Sequence, residues 1–142
     1  MSSDIQQVII LRKDLNMRKG KMVAQGAHAS MKVFFDRLSE TRPVVYDGVT
    51  LTPGETSWVL KDLTDEMIAW IKGSFKKITV SVNSEAELLE LYNKAKEMGL
   101  PTSLIQDSGL TEFHGQQTYT AVAIGPALKE TLQPLTGSLP LL

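Results

Sequence analysis

Lys19-Gly20-Lys21-Met22-Val23-Ala24-Gln25-Gly26-Ala27-His28-Ala29 follows the apolar run Gln7-Val8-Ile9-Ile10-Leu11-Arg12 and reads as the opening of a helix that extends to about Leu38. The run before it is continuous and rich in β-branched side chains, the pattern of a strand buried on both faces. At about 100° per residue, Lys21, Gln25, His28 and Lys32 share one polar stripe of the helix. Val23, Ala27, Met31, Phe34 and Leu38 fall on a largely opposite face, which is expected to pack on the sheet. Gly26 inside the helix costs about 0.5–1 kcal/mol relative to alanine, so it calls for a packing or functional reason.

Between strand and helix, Lys13-Asp14-Leu15-Asn16-Met17-Arg18-Lys19-Gly20 is polar and basic. A strand, a basic loop and a helix N-terminus in succession form a natural anion site, because unpaired N–H groups and the helix dipole favour negative charge there. Charge is uneven along the chain. Residues 1–32 carry six basic and two acidic side chains, a local charge of +4 within a net charge of −1, so the remainder is acidic. Anion binding depends on where the cations cluster, and here they cluster at one edge. The sequence has no GxxxxGK[ST] or GxGxxG, so nothing specific points to a nucleoside triphosphatase or a dinucleotide enzyme.

Further along, Ser39–Ser57 reads as a loop excursion broken by Pro43 and Pro53, with Asp47-Gly48 between Val44-Val45-Tyr46 and Val49-Thr50-Leu51 as a two-residue hairpin signal. Thr64-Asp65-Glu66 begins a short helix ending near Gly73. Lys76–Val82 is a second strand; Ser84 and Glu87 form a capping box for a helix whose apolar stripe is Leu88, Leu91 and Ala95 and whose end is Gly99-Leu100-Pro101. Thr102–Gln106 and Thr118–Ile124 are the third and fourth strands. Gly125-Pro126 is expected to begin a last helix that Pro134 closes, and the apolar tail Leu139–Leu142 is expected to dock.

The order β-α-α-β-α-β-β-α predicts a single α/β domain over residues 1–142, with parallel crossovers first and an antiparallel last strand pair. The chain of 142 residues, 42% hydrophobic, is long enough for a real core. Cysteine is absent, which removes disulfides, thiolate nucleophiles and cysteine zinc sites. Runs such as Val8–Leu11 and Ala121–Ile124 are too short to span a bilayer, so a cytoplasmic location is the default expectation.

Ligands in open α/β sheets gather outside the carboxyl ends of parallel strands. If the first and third strands run parallel, the 13–21 loop and the loop starting Gln106-Asp107-Ser108-Gly109-Leu110-Thr111 leave the sheet at one edge, and Lys21 can meet Asp107. Such a pair can position water, move a proton or hold the site together electrostatically. There is no GxSxG elbow, and His28, His114 and Asp107 lack metal-ligand spacing, so no metal site is expected.

Lys13–Lys21 followed by Ala24-Gln25-Gly26-Ala27-His28-Ala29 closely resembles the signature of peptidyl-tRNA hydrolases of the archaeal and eukaryotic type. Ser103–Gly109 with Thr111, Ala123-Ile124-Gly125-Pro126 and the ending from Leu135 to Leu142 do so as well, in the right order. The resemblance implies a compact α/β domain with a four-stranded mixed sheet flanked by helices, an esterase acting on peptidyl-tRNA, and no metal or organic cofactor. It puts the family's important lysine on Lys21, its aspartate on Asp107 and its loop threonines on Thr111 and Thr118, with Gln25 and His28 at helix positions. In this setting Arg12, Arg18, Lys19 and Lys32 are expected to hold tRNA phosphates. Leu110 stands where the family commonly has arginine, the Thr111–Thr118 stretch reads one residue short, and the longer 39–63 segment leaves a homodimer open. The alternatives are a non-catalytic tRNA- or protein-binding module on the same fold, and a small-molecule-binding domain.

Overall fold

The computed structural model describes residues 4–41, 45–50 and 56–142. Pro43, Val44, Leu51 and Pro53 lie outside them. The first strand, β1 (Ile5–Arg12), is central and buried along nearly all its length, as its unbroken apolar run demands. After it come α1 (Lys19–Phe35), the ribbon strands β2 (Leu38–Thr41), β3 (Val45–Tyr46), β4 (Val49–Thr50) and β5 (Ser57–Leu60), then α2 (Asp65–Lys72), β6 (Lys77–Val82), α3 (Glu85–Glu97), β7 (Thr102–Asp107), β8 (Thr118–Leu128) and α4 (Lys129–Thr136).

The main sheet has the order β6-β1-β8-β7. β1 runs parallel to β6 and antiparallel to β8, and β7 is antiparallel to β8. β1 and β7 therefore point the same way with β8 between them, so their carboxyl ends share one edge. On one face, α1 and α2 bury Phe34, Met67 and Trp70 against Ile9, Leu11, Ala121 and Ala123. On the other, Leu88 and Ala95 of α3 and Leu132 of α4 cover Val8, Ile10, Val122 and Ile124. Local signals set the helix starts: Met67 N–H donates to Thr64 Oγ1 at 3.1 Å, Glu87 N–H to Ser84 Oγ at 3.1 Å, and Asn83 N–H to the Glu87 carboxylate at 2.7 Å. The tail docks as its composition predicts, lining the free edge of β6 through Ser81 N–H to Pro140 O and Leu142 N–H to Thr79 O.

Several expectations are corrected. Helix α1 stops at Phe35, and Leu38 already belongs to β2. The 39–57 excursion contains the Asp47-Gly48 hairpin, yet its flanks are paired as well, β2 lying antiparallel to β5. Ser39, Glu40 and Thr41 present no apolar face, so no period-2 signal announces that pairing. Gly125-Pro126 does not begin a helix. It lies inside β8, where Gly125 has φ +96° and a Cβ would stand 2.8 Å from Gln6 O, opposite a register shift in β1 between Gln6 and Val8. Such a bulge needs the glycine and leaves the proline's missing N–H harmless. Pro134 sits inside α4, which continues to Thr136.

The buried face of α1 also differs from the expected one. Gln25, Gly26, Ala29, Ser30, Val33 and Phe34 face the sheet, while Val23 is 73% and Met31 54% exposed. Polar groups hold this seat: Ser30 Oγ donates to Gln7 Oε1 at 2.5 Å, Gln7 Nε2 donates to Ser30 O at 3.3 Å and Gly125 O at 3.2 Å, and Ser103 Oγ donates to Ala29 O at 2.6 Å.

Gly26 is buried in this seat, but a Cβ there would meet only Ile9 Cγ2, at an ordinary contact of 3.6 Å. Packing therefore does not require glycine, and Gly26→Ala is expected to stabilise the protein by about 0.5–1 kcal/mol. Urea unfolding checks this; a lower midpoint for the variant would show that α1 must move to admit the methyl group.

Candidate functional site

The site forms where β1, β7 and α1 meet at the common strand edge. β1 ends at Arg12, Lys13 N–H continues the parallel ladder to Val82 O at 2.8 Å, and a turn with Asn16 at φ +52° brings the chain round to α1. Lys21 thus stands in the first turns of α1 and Asp107 at the end of β7. Lys21 Nζ lies 2.7 Å from Asp107 Oδ1 and donates to Thr111 Oγ1 at 2.6 Å. Both side chains are nearly buried, at 13% and 10% exposure, so solvent screens the pair far less than it would a surface pair.

Asp107 accepts from three directions. Besides Lys21, Gly109 N–H reaches Oδ2 at 2.8 Å and Gln25 Nε2 reaches Oδ1 at 3.3 Å. Burial pushes the carboxyl pKa up, but the Lys21 ammonium, the Gly109 N–H and the Gln25 amide together outweigh it and hold the pKa below the usual carboxylate value. Asp107 is therefore ionised at neutral pH. The loop after it is tight: Gly109 has φ +86°, a Cβ there would fall 2.3 Å from Gln116 O, and Gly115 N–H closes on Gly109 O at 2.7 Å. This closure puts Thr111 over Lys21 and sets the Phe113 ring 5.6 Å from its ammonium.

A further member is Thr120, fully buried in β8, whose hydroxyl donates to Gln25 Oε1 at 2.5 Å. That bond fixes which way the Gln25 amide points, leaving its NH2 for Asp107. The β7–β8 register shifts here, with Ile105 opposite Ala121 and Gln106 opposite Tyr119, so Thr120 is the extra residue of a bulge. Bulges re-aim side chains beside functional sites.

Of the expected residues, Lys21, Gln25, Asp107 and Thr111 come together. Thr118 does not: its hydroxyl donates to Gln116 O at 3.0 Å at the strand's start, and the bulge gives the inward position to Thr120. The sequence holds both threonines two residues apart, and alternation alone does not choose between them. His28 is exposed on α1, outside the cluster. The Arg12 guanidinium is already engaged, by Asp14 at 3.2 and 2.7 Å and by Tyr119 O at 3.0 Å, with 11% of its side chain exposed. Lys32 pairs with Asp36 one turn on, at 2.7 Å. Arg18 and Lys19 are exposed beside the site, Arg18 Nε lying 3.6 Å from Glu112 Oε1. Leu110 stands in solvent. Among the described residues no three His, Asp or Glu side chains are grouped to hold a metal ion, and no helix is long and apolar enough to cross a membrane.

Residues 5–142 match the model of the family described as peptidyl-tRNA hydrolase PTH2. The chain is 41% identical over 138 residues to the peptidyl-tRNA hydrolase of Methanocaldococcus jannaschii, covering 97% of this chain and all of that one. It is 35% identical over 137 residues to the peptidyl-tRNA hydrolase of Methanopyrus kandleri, covering 96% and 97%. It is 36% identical over 138 residues to the probable peptidyl-tRNA hydrolase 2 of Dictyostelium discoideum, where the match covers 97% of this chain and 55% of the relative. With its fold, its Lys21–Asp107 site and these likenesses over nearly its whole length, the chain belongs to the peptidyl-tRNA hydrolase PTH2 family.

Proposed function

We propose that this protein hydrolyses the ester joining a peptide to the 3′-terminal ribose of tRNA, releasing peptide and free tRNA. The observation that carries the reading is the nearly buried Lys21–Asp107 pair with Thr111 on the same ammonium, in a chain of this family. Water attacks the ester carbonyl, the carbon–ribose oxygen bond breaks, the ribose oxygen takes up a proton and the peptide leaves as a carboxylate. Negative charge grows on the carbonyl oxygen as the tetrahedral intermediate forms. Lys21 and the Thr111 hydroxyl, already fixed in place, meet that charge without reorganising. Asp107, with its lowered pKa, is a weak proton acceptor, so it orients Lys21 and the attacking water more than it deprotonates. Gln25 and Thr120 hold Asp107 in register. Arg18 and Lys19 take backbone phosphates, a contact indifferent to tRNA sequence. Translation supplies such a substrate in the cytoplasm, where we expect the protein to act.

We further propose a homodimer. Val23, Met31, Phe35, Phe75 and Leu142 leave a large exposed apolar area around the groove between α1 and β6, and a contiguous patch of this kind marks an interaction surface. A second copy is the partner that is always present.

Hydrolysis of N-acetyl-aminoacyl-tRNA, with the unblocked aminoacyl-tRNA as control, tests the activity. Lys21→Ala and Asp107→Asn are each expected to lower kcat/KM by about 10²–10³, mainly through kcat. A folded wild type that binds tRNA without turnover would leave the binding-module reading in its place. Affinity for tRNA should fall with salt, and the log–log slope should shrink by about one for each of Arg18→Gln and Lys19→Gln, but not for Arg12→Gln. An unchanged slope in the double variant would remove α1's N-terminus from the tRNA surface. In sedimentation, the wild type should run as a dimer and Met31→Glu as a folded monomer. A wild type that stays monomeric at every concentration sedimented rejects the homodimer.

A further inference from the structure

The Phe113 side chain joins two features that the reaction alone does not explain. Lys21 Nζ lies 5.6 Å from its ring centroid, and the same residue lines a separate cavity of about 440 Å³, whose walls include Arg12, Leu15, Glu85, Glu112 and His114. Lys21 does not line that cavity, so ammonium and cavity meet Phe113 at different places. The volume is in the range of small-ligand sites, far below what a helix or a folded partner needs.

The charge of the lining decides what kind of group fits. Its one guanidinium, Arg12, is already engaged by Asp14, and of its two carboxylates Glu112 meets Arg18 at 3.6 Å through one oxygen while Glu85 is exposed. Glu112 Oε2 is buried and has no hydrogen-bond partner among the described residues. The cavity therefore gives phosphate no free guanidinium or ammonium and offers an aromatic surface together with acceptors. That is the complement of a nucleobase carrying an exocyclic amino group, for which a carboxylate is a natural acceptor. The exposed cations, Arg18 and Lys19, lie towards the helix start and suit the phosphates.

Resting on the hydrolase reading above, we propose that this cavity seats the base of the terminal nucleoside of tRNA, stacked against Phe113. The reacting ester sits on the ribose of that same nucleoside, so its base must lie within one nucleoside's length of Lys21. The 5.6 Å between ammonium and ring meets this requirement. Phe113 is then a specificity-determining residue: it places the ester by holding the base, and a stacking surface admits the constant end of every tRNA.

The test compares N-acetyl-aminoacyl-tRNA with the same molecule whose terminal nucleotide is a base-free ribose. Wild type should prefer the natural end by about tenfold or more in kcat/KM, chiefly through KM. Phe113→Leu, which keeps an apolar side chain against Lys21, should lose that preference, cleaving the natural and base-free ends with equal kcat/KM, and Phe113→Tyr should restore it. Equal wild-type cleavage of the two ends overturns the proposal. So does a Phe113→Leu variant that slows both equally, since Phe113 would then only pack Lys21. If wild type cleaves neither, the hydrolase reading falls and the subsite falls with it; cleavage of both without discrimination rejects the subsite alone.

Discussion

Everything at the site depends on how α1 is seated on the sheet, and that seat is held by matched buried polar groups. Gln7, Gln25, Ser30, Ser103 and Thr120 are all buried, and each has a partner on another element. A buried amide or hydroxyl without its partner costs about 1–3 kcal/mol, so a small slide or rotation of α1 would break several bonds together. Apolar packing tolerates such slides far better, being non-directional. Val33, Phe34 and Ala29 supply the burial, while the polar ties supply the register.

That register carries directly into the chemistry. From Thr120 the hydrogen bonds run through Gln25 to Asp107 and from there to Lys21 and Thr111, linking β8, α1, β7 and the loop beyond it. Each member limits the freedom of the next: the Thr120 hydroxyl sets the amide, the amide and Gly109 N–H set the carboxylate, and the carboxylate sets the ammonium. Charge can then be met by groups that are already aligned. The bulge at Thr120 is part of the same device, because without the extra residue β8 would turn that hydroxyl to the other face.

The sequence was legible wherever one signal dominated. The buried run of β1, the capping box of α3, the apolar tail and the meeting of Lys21 with Asp107 follow from composition, spacing and the strand-edge rule. It misled where two signals competed. For α1, hydrophobicity favoured Val23, Ala27 and Met31 as the inner face, but hydrogen bonding placed Gln25 and Ser30 there and left those apolar residues outside. Gly125-Pro126 has the composition of a helix start yet serves a strand bulge. Thr118 and Thr120 are equivalent by type, and only pairing to β7 separates them. Arg12 looks like a phosphate ligand until Asp14, two residues on, is found on both of its forks.

The Arg12 case also explains how an acidic chain can carry a nucleic-acid site. A cation tied to a neighbouring carboxylate adds little to the field beyond its own pair, so the charge that matters is what remains unpaired. Arg12 is bound to Asp14, Lys32 to Asp36 and Lys21 to Asp107, which leaves Lys13, Lys19 and Arg18, the last 91% exposed with a long 3.6 Å contact to Glu112, as the cations standing out into solvent around the start of α1. Beside them the 108–117 loop presents Glu112 and the Phe113 ring. Backbone phosphate is attracted to the exposed cations, while Glu112, in contact with Arg18, and the Phe113 ring add no free positive charge beside them. Net charge reports none of this, because the attraction depends on which cations the fold has already neutralised.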